Sequence, residues 1–467
     1  MQQHDTTCDS HNILLIGIEF VEPIFSGNGI LTRSIVQGLL DLGYIVSVIC
    51  AQPSNEGTPH SHSTPCSLAS AGNQRQLRIF PVPVPYQMWK RLDRFSAWKE
   101  MAESAPDKLS NHFPDETNEL FEKVDYVVCI DWSAVPTYEA LLRKFTHLAR
   151  ARLVQYVFRV FSMSHELFVS NDDLEFYQRH ELRAMQQADI VLVISHVDKQ
   201  ALQQLVTDNN SKELNQSTTA DSIDMHVVVP PLRNDLLELL RNKVQNPLFA
   251  TLKAKRRKYI MCNVRLSREK NAAFFAQLMR LLSDQDIFRR YNLLPLLVGA
   301  VCDEGYASKV RMLLPPETIL ITEFMKLSDM ITYMEESVIV IHPTSYDAYG
   351  MIIAEAASVG TPSLIHFENI GVSSLFCKEK EEILTSDMRC LDTASQSLLT
   401  ILKDREDGLE YLSRIGTNAR KRALTWTTLD CARCIDEKLK TLDRIRPKKL
   451  GASNSLKECC LKSEKNE

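Results

Sequence analysis

The sequence predicts a two-domain α/β protein in which each domain is built on a mostly parallel, doubly wound sheet. Short apolar runs alternate with helical patterns along the whole chain. The alternation stops at a proline pair near residue 230 and restarts near residue 259. The length of 467 residues also exceeds what one hydrophobic core usually supports. A hydrophobic content of 44% supplies enough apolar side chains for two cores.

The first strand is Ile13-Leu14-Leu15-Ile16-Gly17-Ile18, a continuous apolar run of the kind buried on both faces of a parallel sheet. Leu31, Ile35, Leu39 and Leu42 follow at helical spacing, and Gly43 closes that helix. Tyr44 to Cys50 is the next strand, so about forty residues make one βαβ unit. Residues 52 to 76 are rich in Ser, Pro, Gly, His and Asn and are expected to form a long surface loop. Further strands are expected at 126–130, 153–158 and 190–194, with a second polar insertion over roughly 207–223. Val227-Val228-Val229 then runs into Pro230-Pro231-Leu232, which marks the domain boundary.

In the second half, strands are expected at 259–263, 293–298, 318–321, 338–341 and 363–366. Pro295 lacks a backbone donor, which places the 293–298 strand at an edge or shortens it. The domains are therefore residues 1–232 and 233–424, with a helix at 425–447 packing back on the first domain. Residues 448–467 are Lys-, Ser- and Glu-rich and read as a disordered tail.

The net charge of −5 weighs against a nucleic-acid binder, whose footprint would be basic. Twelve cysteines lack the paired spacing of a zinc site, a pattern that fits reduced thiols. The start is polar with no signal-peptide pattern, and no window reaches about 18 continuous apolar residues. A cytoplasmic protein is expected, with peripheral membrane contact left open. The basic run Lys253 to Lys258 reads as a solvated face, and Cys459-Cys460 as part of the free tail.

Four segments at expected strand ends carry chemistry, since open α/β sheets bind ligands there. Phe25-Ser26-Gly27-Asn28-Gly29 is a glycine-containing turn before a helix start, a setting that suits negative charge. In Asn263-Val264-Arg265-Leu266-Ser267-Arg268-Glu269-Lys270-Asn271, Arg265 and Lys270 place two cations where they would clamp a diphosphate. Thr322-Glu323-Phe324-Met325 offers backbone groups to a nucleobase edge. In Tyr346-Asp347-Ala348-Tyr349-Gly350-Met351, followed by Glu355, two carboxylates and the free amides of a helix start surround one small space. Carboxylates suit hydroxyls and amides suit phosphate, so a sugar nucleotide is the expected ligand. Tyr86, Trp89, Phe95 and Trp98, with nearby Arg91, Arg94 and Lys99, are either core or an acceptor groove.

With these residues in place, the chain resembles the glycosyltransferases of family 4, retaining nucleotide-sugar enzymes of the GT-B fold. That fold is two Rossmann-like, doubly wound domains facing across a cleft. The family's E-x7-E motif falls on Asp347 and Glu355, and its GRL-x-x-EKN segment on residues 263–271. Its PNG hinge falls on Pro230-Pro231-Leu232, and its HDW on Ile130-Asp131-Trp132. The resemblance covers roughly residues 12 to 440 and is strongest from 259 to 372.

It implies a hexosyltransferase-like enzyme taking a UDP- or GDP-linked sugar as co-substrate, with no metal and no other cofactor. Arg265 and Lys270 would bind the donor diphosphate, and Glu355 the ribose. Asp347 and the amides from Ala348 through Tyr349 and Gly350 to Met351 would meet the transferred sugar and its phosphate. Gly27 and Gly29 would shape the loop beneath the diphosphate, and Phe324 would lie at the base. The acceptor, whether sugar, lipid or protein, would bind across the cleft on the first domain. Three departures stand out. Asp347 is one methylene shorter than the family's glutamate. Arg159 stands about where the family often has a histidine, with His165 further on. Of a usual glycine pair, only Gly371 remains. These departures motivate a rival reading as a non-catalytic nucleotide-sugar binder or scaffold; a nucleotide-sugar epimerase is a third.

Overall fold

The computed structural model describes residues 11–22, 24, 26–54, 76–85, 97–112, 114–163, 171–212, 223–245, 259–323, 325–376, 379–403 and 405–445. The first domain runs β1 (Asn12–Gly17), α1 (Gly27–Asp41), β2 (Ile45–Ser54), β3 (Leu77–Pro85), α2 (Ala97–His112) and α3 (Pro114–Lys123). It continues through β4 (Tyr126–Ile130), α4 (Asp131–Lys144), β5 (Arg152–Val157), α5 (Asn171–Gln187), β6 (Ile190–Val193), α6 (His196–Lys212) and β7 (Met225–Val227). After α7 (Asn234–Gln245), the second domain has β8 (Tyr259–Asn263), α8 (Ala272–Asp284), α9 (Ile287–Tyr291), β9 (Leu294–Val298), α10 (Glu304–Leu313) and β10 (Ile319–Ile321). Then come α11 (Leu327–Glu335), β11 (Ser337–His342), α12 (Met351–Ser358), β12 (Ser363–His366), β13 (Leu384–Ser386), α13 (Leu391–Lys403), α14 (Arg405–Ala423) and α15 (Thr428–Ile445).

Every strand pair is parallel. The first sheet has the order β3-β2-β1-β4-β5-β6-β7 and the second β10-β9-β8-β11-β12-β13. Both orders step outward from a central strand in two directions, so each sheet has one switch point, β1/β4 in the first and β8/β11 in the second. Loops diverge above a switch point and leave a crevice at the carboxyl ends of the strands. The segments after β1, β4, β8 and β11 therefore meet the site. They hold Gly27, Asp131, Lys270 and Asp347.

Three strands escape the sequence reading, β3, β7 and β13, and all lie at sheet edges. In β3, Pro81, Pro83 and Pro85 alternate, so the missing N–H groups all fall on one side of the strand. As β3 is the edge of its sheet, that side is the open one, and the prolines also block further pairing. β13 is only three residues long and too short to show periodicity. β2 runs through Ser54, into the start of the loop expected at 52–76, and residues 55–75 lie outside the described residues. Likewise α6 continues to Lys212 into the expected polar insertion.

The placement of Pro295 at an edge is wrong. β9 lies between β10 and β8, and its pairing with β10 begins only at Leu296. Pro295 thus sits ahead of the two-sided ladder, where a missing donor is tolerated. Among the described residues, no helix is long and apolar enough to cross a membrane.

One apolar cluster joins the domains. It includes Ile13, Val46 and Tyr156 of the first sheet, Met261 and Val340 of the second, and Cys431, Ile435 and Leu439 of α15. α15 lies on α1, where Gly38 leaves room for the Thr428 carbonyl; a Cβ there would come within 2.4 Å of that oxygen. The linker is held from both sides. Tyr349 Oη donates to the Pro230 carbonyl at 3.1 Å, and Trp426 Nε1 to that of Val229 at 2.9 Å.

Candidate active site

On the first domain, the β1–α1 turn is organised by a buried acid. Glu19 accepts from the Ser26 amide at 3.0 Å and from Ser26 Oγ at 2.5 Å. Ser26 in turn caps α1 by accepting from the Asn28 amide at 3.1 Å. Asn28 Nδ2 then donates to Asp131 Oδ2 at 2.9 Å. Asp131 opens α4 in the left-handed region, φ 57°, and its Oδ1 accepts from the amides of Phe158 at 2.7 Å and Arg159 at 3.2 Å. One carboxylate thereby pins the start of α1 to the ends of β4 and β5. Burial pushes it up to about 7, although those hydrogen bonds work the other way.

Arg159 lies over the Phe161 ring, 5.4 Å from its centroid. Trp98, expected as core or groove, is core: it is 9% exposed and packs edge-on against Trp132 at 5.2 Å. Tyr86, Trp89, Arg91, Arg94, Phe95, His165, the 253–258 run and the tail lie outside the described residues.

On the second domain, β8 delivers the cationic turn. Arg265 Nη2 is 3.4 Å from Glu269 Oε1, and Asn271 adopts φ 52° at the start of α8. Asn271 Nδ2 donates to the Pro343 carbonyl at 3.2 Å, tying this turn to the end of β11. Lys270 Nζ donates to Asp347 Oδ2 at 2.6 Å, and His342 Nε2 lies 3.0 Å from the same oxygen. Burial pushes the Asp347 carboxyl up, but the Lys270 ammonium and His342 outweigh it and hold it well below the usual range. An ionised Asp347 makes His342 Nε2 the donor, and His342 Nδ1 is left buried without a partner. Burial lowers Lys270; the charges of Arg265 and Arg159 push the same way, while Asp347 opposes them. The charges that oppose this ammonium thus come from both domains, Arg265 from the second and Arg159 from the first.

Asp347 is also fixed through its main chain. Its amide donates to the Asn369 carbonyl at 3.0 Å, and its carbonyl accepts from Gly371 at 2.9 Å. Gly350 follows in the left-handed region at φ 82°, and α12 starts at Met351 with first-turn amides that have no partner inside the helix. Glu355 is buried on the second turn. Its Oε1 is 3.6 Å from Arg233 Nη1, while Arg233 forks Asp235 at 2.6 Å on each side. Burial raises the Glu355 carboxyl, with Arg233 pulling it back.

The other expected site residues are distributed as follows. Gly27 faces the second domain; a Cβ there would lie 2.9 Å from Met351 Sδ. Gly29 does not face the crevice. A Cβ on it would meet Ile24 and Glu19 at 2.9–3.0 Å, so this glycine serves packing within its own turn. Ala348 and Tyr349 are buried, and the Tyr349 ring points to the linker rather than to the crevice. Phe324 lies outside the described residues.

Sequence reading did not assign roles to His342, Arg233, Tyr346, Asp198 or Asp131. His342 had a usable signal, because it is the last residue of a strand at a switch point. Asp198 had none: it meets Tyr346 only through the tertiary fold, at 2.9 Å.

Residues 245–422 match the family model described as Glycosyl transferases group 1. No curated protein matches the chain. Among solved structures, sucrose-phosphate synthase from Thermosynechococcus elongatus superposes with TM-score 0.64 and 14% identity, covering 93% of this chain and 100% of that one. The Anabaena protein HepE, in complex with UDP and glucose, gives 0.59 and 14%, covering 92% and 100%. An α,α-trehalose-phosphate synthase (UDP-forming) from Burkholderia xenovorans, in complex with glucose-6-phosphate, gives 0.64 and 11%, covering 92% and 100%. At such identities the likeness concerns the fold. The chain thus has the GT-B architecture, and its second domain carries the Glycosyl transferases group 1 match.

Proposed function

We propose that the protein is a retaining glycosyltransferase that takes a nucleotide sugar, UDP- or GDP-linked, and transfers its sugar to a hydroxyl acceptor. The observation that carries this reading is the meeting of Lys270 with Asp347 at the carboxyl ends of β8 and β11, where the charges of Arg265 and Arg159 also act on the lysine. When the glycosidic C–O bond breaks, the electron pair stays with the diphosphate. Fixed cations and the amides starting α12 would stabilise that charge as it develops. The acceptor oxygen forms the new bond on the same face, and its proton passes to a phosphate oxygen of the leaving group. Glu355, paired with Arg233, would accept from the ribose hydroxyls. The family match over the second domain and the UDP and glucose bound by HepE support UDP-glucose as the first donor to try.

One observation favours a second reading as a binder without turnover. Asp347 Oδ2 already holds both Lys270 and His342, and the aspartate is too short to reach far beyond them.

A panel of UDP- and GDP-sugars decides between these readings, first by thermal stabilisation and then by release of nucleoside diphosphate. Stabilisation with release supports transfer, and the anomeric form of the product tests retention. Stabilisation without release supports the binder, and an isomerised donor the epimerase. If no nucleotide sugar or nucleoside diphosphate stabilises the protein or is consumed, the proposal is wrong.

A further inference from the structure

Tyr346 directly precedes Asp347, yet its hydroxyl belongs to the other domain's hydrogen-bond network. It donates to Asp198 Oδ1 at 2.9 Å and lies 3.3 Å from both the amide and the carbonyl of Val160. Val160 in turn directly follows Arg159. Asp198 is 0% exposed and is also held within its own domain: its Oδ2 accepts from Ser195 Oγ at 2.9 Å, and its amide donates to Ser195 Oγ at 3.1 Å. Beside this contact the Gly371 backbone packs against the Ser195 side chain, since a Cβ on Gly371 would come within 2.8 Å of Ser195 Cβ. The second point of approach, Gly27 against Met351, flanks the crevice from the β1–α1 turn.

We propose that Tyr346 is a clasp that closes the two domains and, by bonding Asp198 and Val160, sets Arg159 opposite Lys270 and Asp347. It is a positioning residue, deepening the glycosyl-transfer reading on which it rests. Arg265, Lys270, Asp347 and Glu355 all lie on the second domain and need no closure to bind a diphosphate. Arg159 lies on the first domain and is added only when the domains meet. Losing the clasp should therefore spare binding and slow turnover, a split that simple destabilisation would not produce. The phenolic oxygen is the smallest part that tests it, because Tyr346→Phe keeps the ring and its packing.

The test compares the full-length wild type with Tyr346→Phe and with Asp198→Asn, which keeps an acceptor for the tyrosyl hydroxyl. Calorimetry with UDP and GDP reads binding, UDP release from UDP-glucose reads turnover, and X-ray scattering reads closure. Tyr346→Phe is expected to keep nucleoside diphosphate affinity within about 2-fold, to lose about 10-fold or more in turnover, and to show a larger radius of gyration. Asp198→Asn is expected to stay close to the wild type in radius. Equal radii for the wild type and Tyr346→Phe would overturn the clasp, as would a parallel loss of affinity and turnover. If the wild type neither binds these diphosphates nor consumes UDP-glucose, the functional reading fails, and the scattering comparison still decides the clasp.

Discussion

Lys270 carries the largest share of the electrostatic argument at the residue scale. It is half-buried, bonded to Asp347, and opposed by the charges of two arginines. Lys270→Ala is expected to lower turnover by roughly 100-fold or more, the scale of losing one preorganised charge partner. Far-ultraviolet circular dichroism should be unchanged, and wild-type turnover in this variant would remove the site assignment. Asp198 makes a second residue-level prediction. Burial drives its carboxyl up to about 7, with the nearby charges of Asp347 and Asp131 adding and the Ser195 and Tyr346 hydrogen bonds opposing. Its folded pKa lies above the unfolded value of about 4, so the native state holds the proton more tightly. That stabilisation is complete below about pH 4 and is lost as pH rises towards about 7. Asp347, shifted down, works the opposite way: its contribution is present at neutral pH and lost in acid. Asp198→Asn should accordingly flatten the fall in melting temperature between about pH 5 and pH 7. An unchanged slope would show that Asp198 does not titrate there.

At the scale of elements, the site depends on turns whose backbones approach too closely for a side chain. A Cβ on Gly371 would lie 1.8 Å from the Ala348 carbonyl oxygen, within the bridge that fixes the Asp347 main chain. Gly371→Ala is therefore expected to destabilise the protein by about 1–3 kcal/mol and to reduce turnover with it. Gly305, in the first turn of α10, is a suitable control, because a Cβ there meets only Asp303 Oδ1 at 3.3 Å. Gly305→Ala should be neutral or slightly stabilising, since alanine favours a helix. Denaturant midpoints of the two variants check this contrast; equal midpoints would refute it. The elements that sequence reading located are those with long apolar or helical periodicity, such as β1, α1 and β11. β3 was hidden by its prolines and β13 by its length, and Pro295 was misplaced because its position relative to the β10 ladder is not a local property.

Across the whole molecule, the last helix joins what the linker separates. Besides its apolar contacts, α15 accepts two tyrosyl hydrogen bonds from the first domain. Tyr44 Oη donates to Asp436 Oδ1 at 2.6 Å, and Tyr126 Oη donates to Asp443 Oδ2. Both phenols are pushed far up, by burial first and then by their aspartate partners, so both remain donors. Replacing both tyrosines by phenylalanine should cost about 1–3 kcal/mol of stability and speed amide exchange in α15. Unchanged exchange there would mean that the apolar contacts alone hold the helix.

Local pattern alone settled the α/β alternation, and it pointed to a break near residue 230 and to four segments that could bear ligand chemistry, because periodicity and turn residues act over a few neighbours. It also placed the acid and cation types, since Lys270 and Asp347 each lie in a short, recognisable run. Only the tertiary structure decided what these groups touch. It put Lys270 and His342 on a single Asp347 oxygen, turned Gly29 away from the crevice, and brought Arg233 to Glu355 and Tyr346 to Asp198. Except for His342 and the neighbours of Gly29, those partners lie far apart along the chain, and their meeting is fixed by strand order and domain contact, which no local pattern encodes.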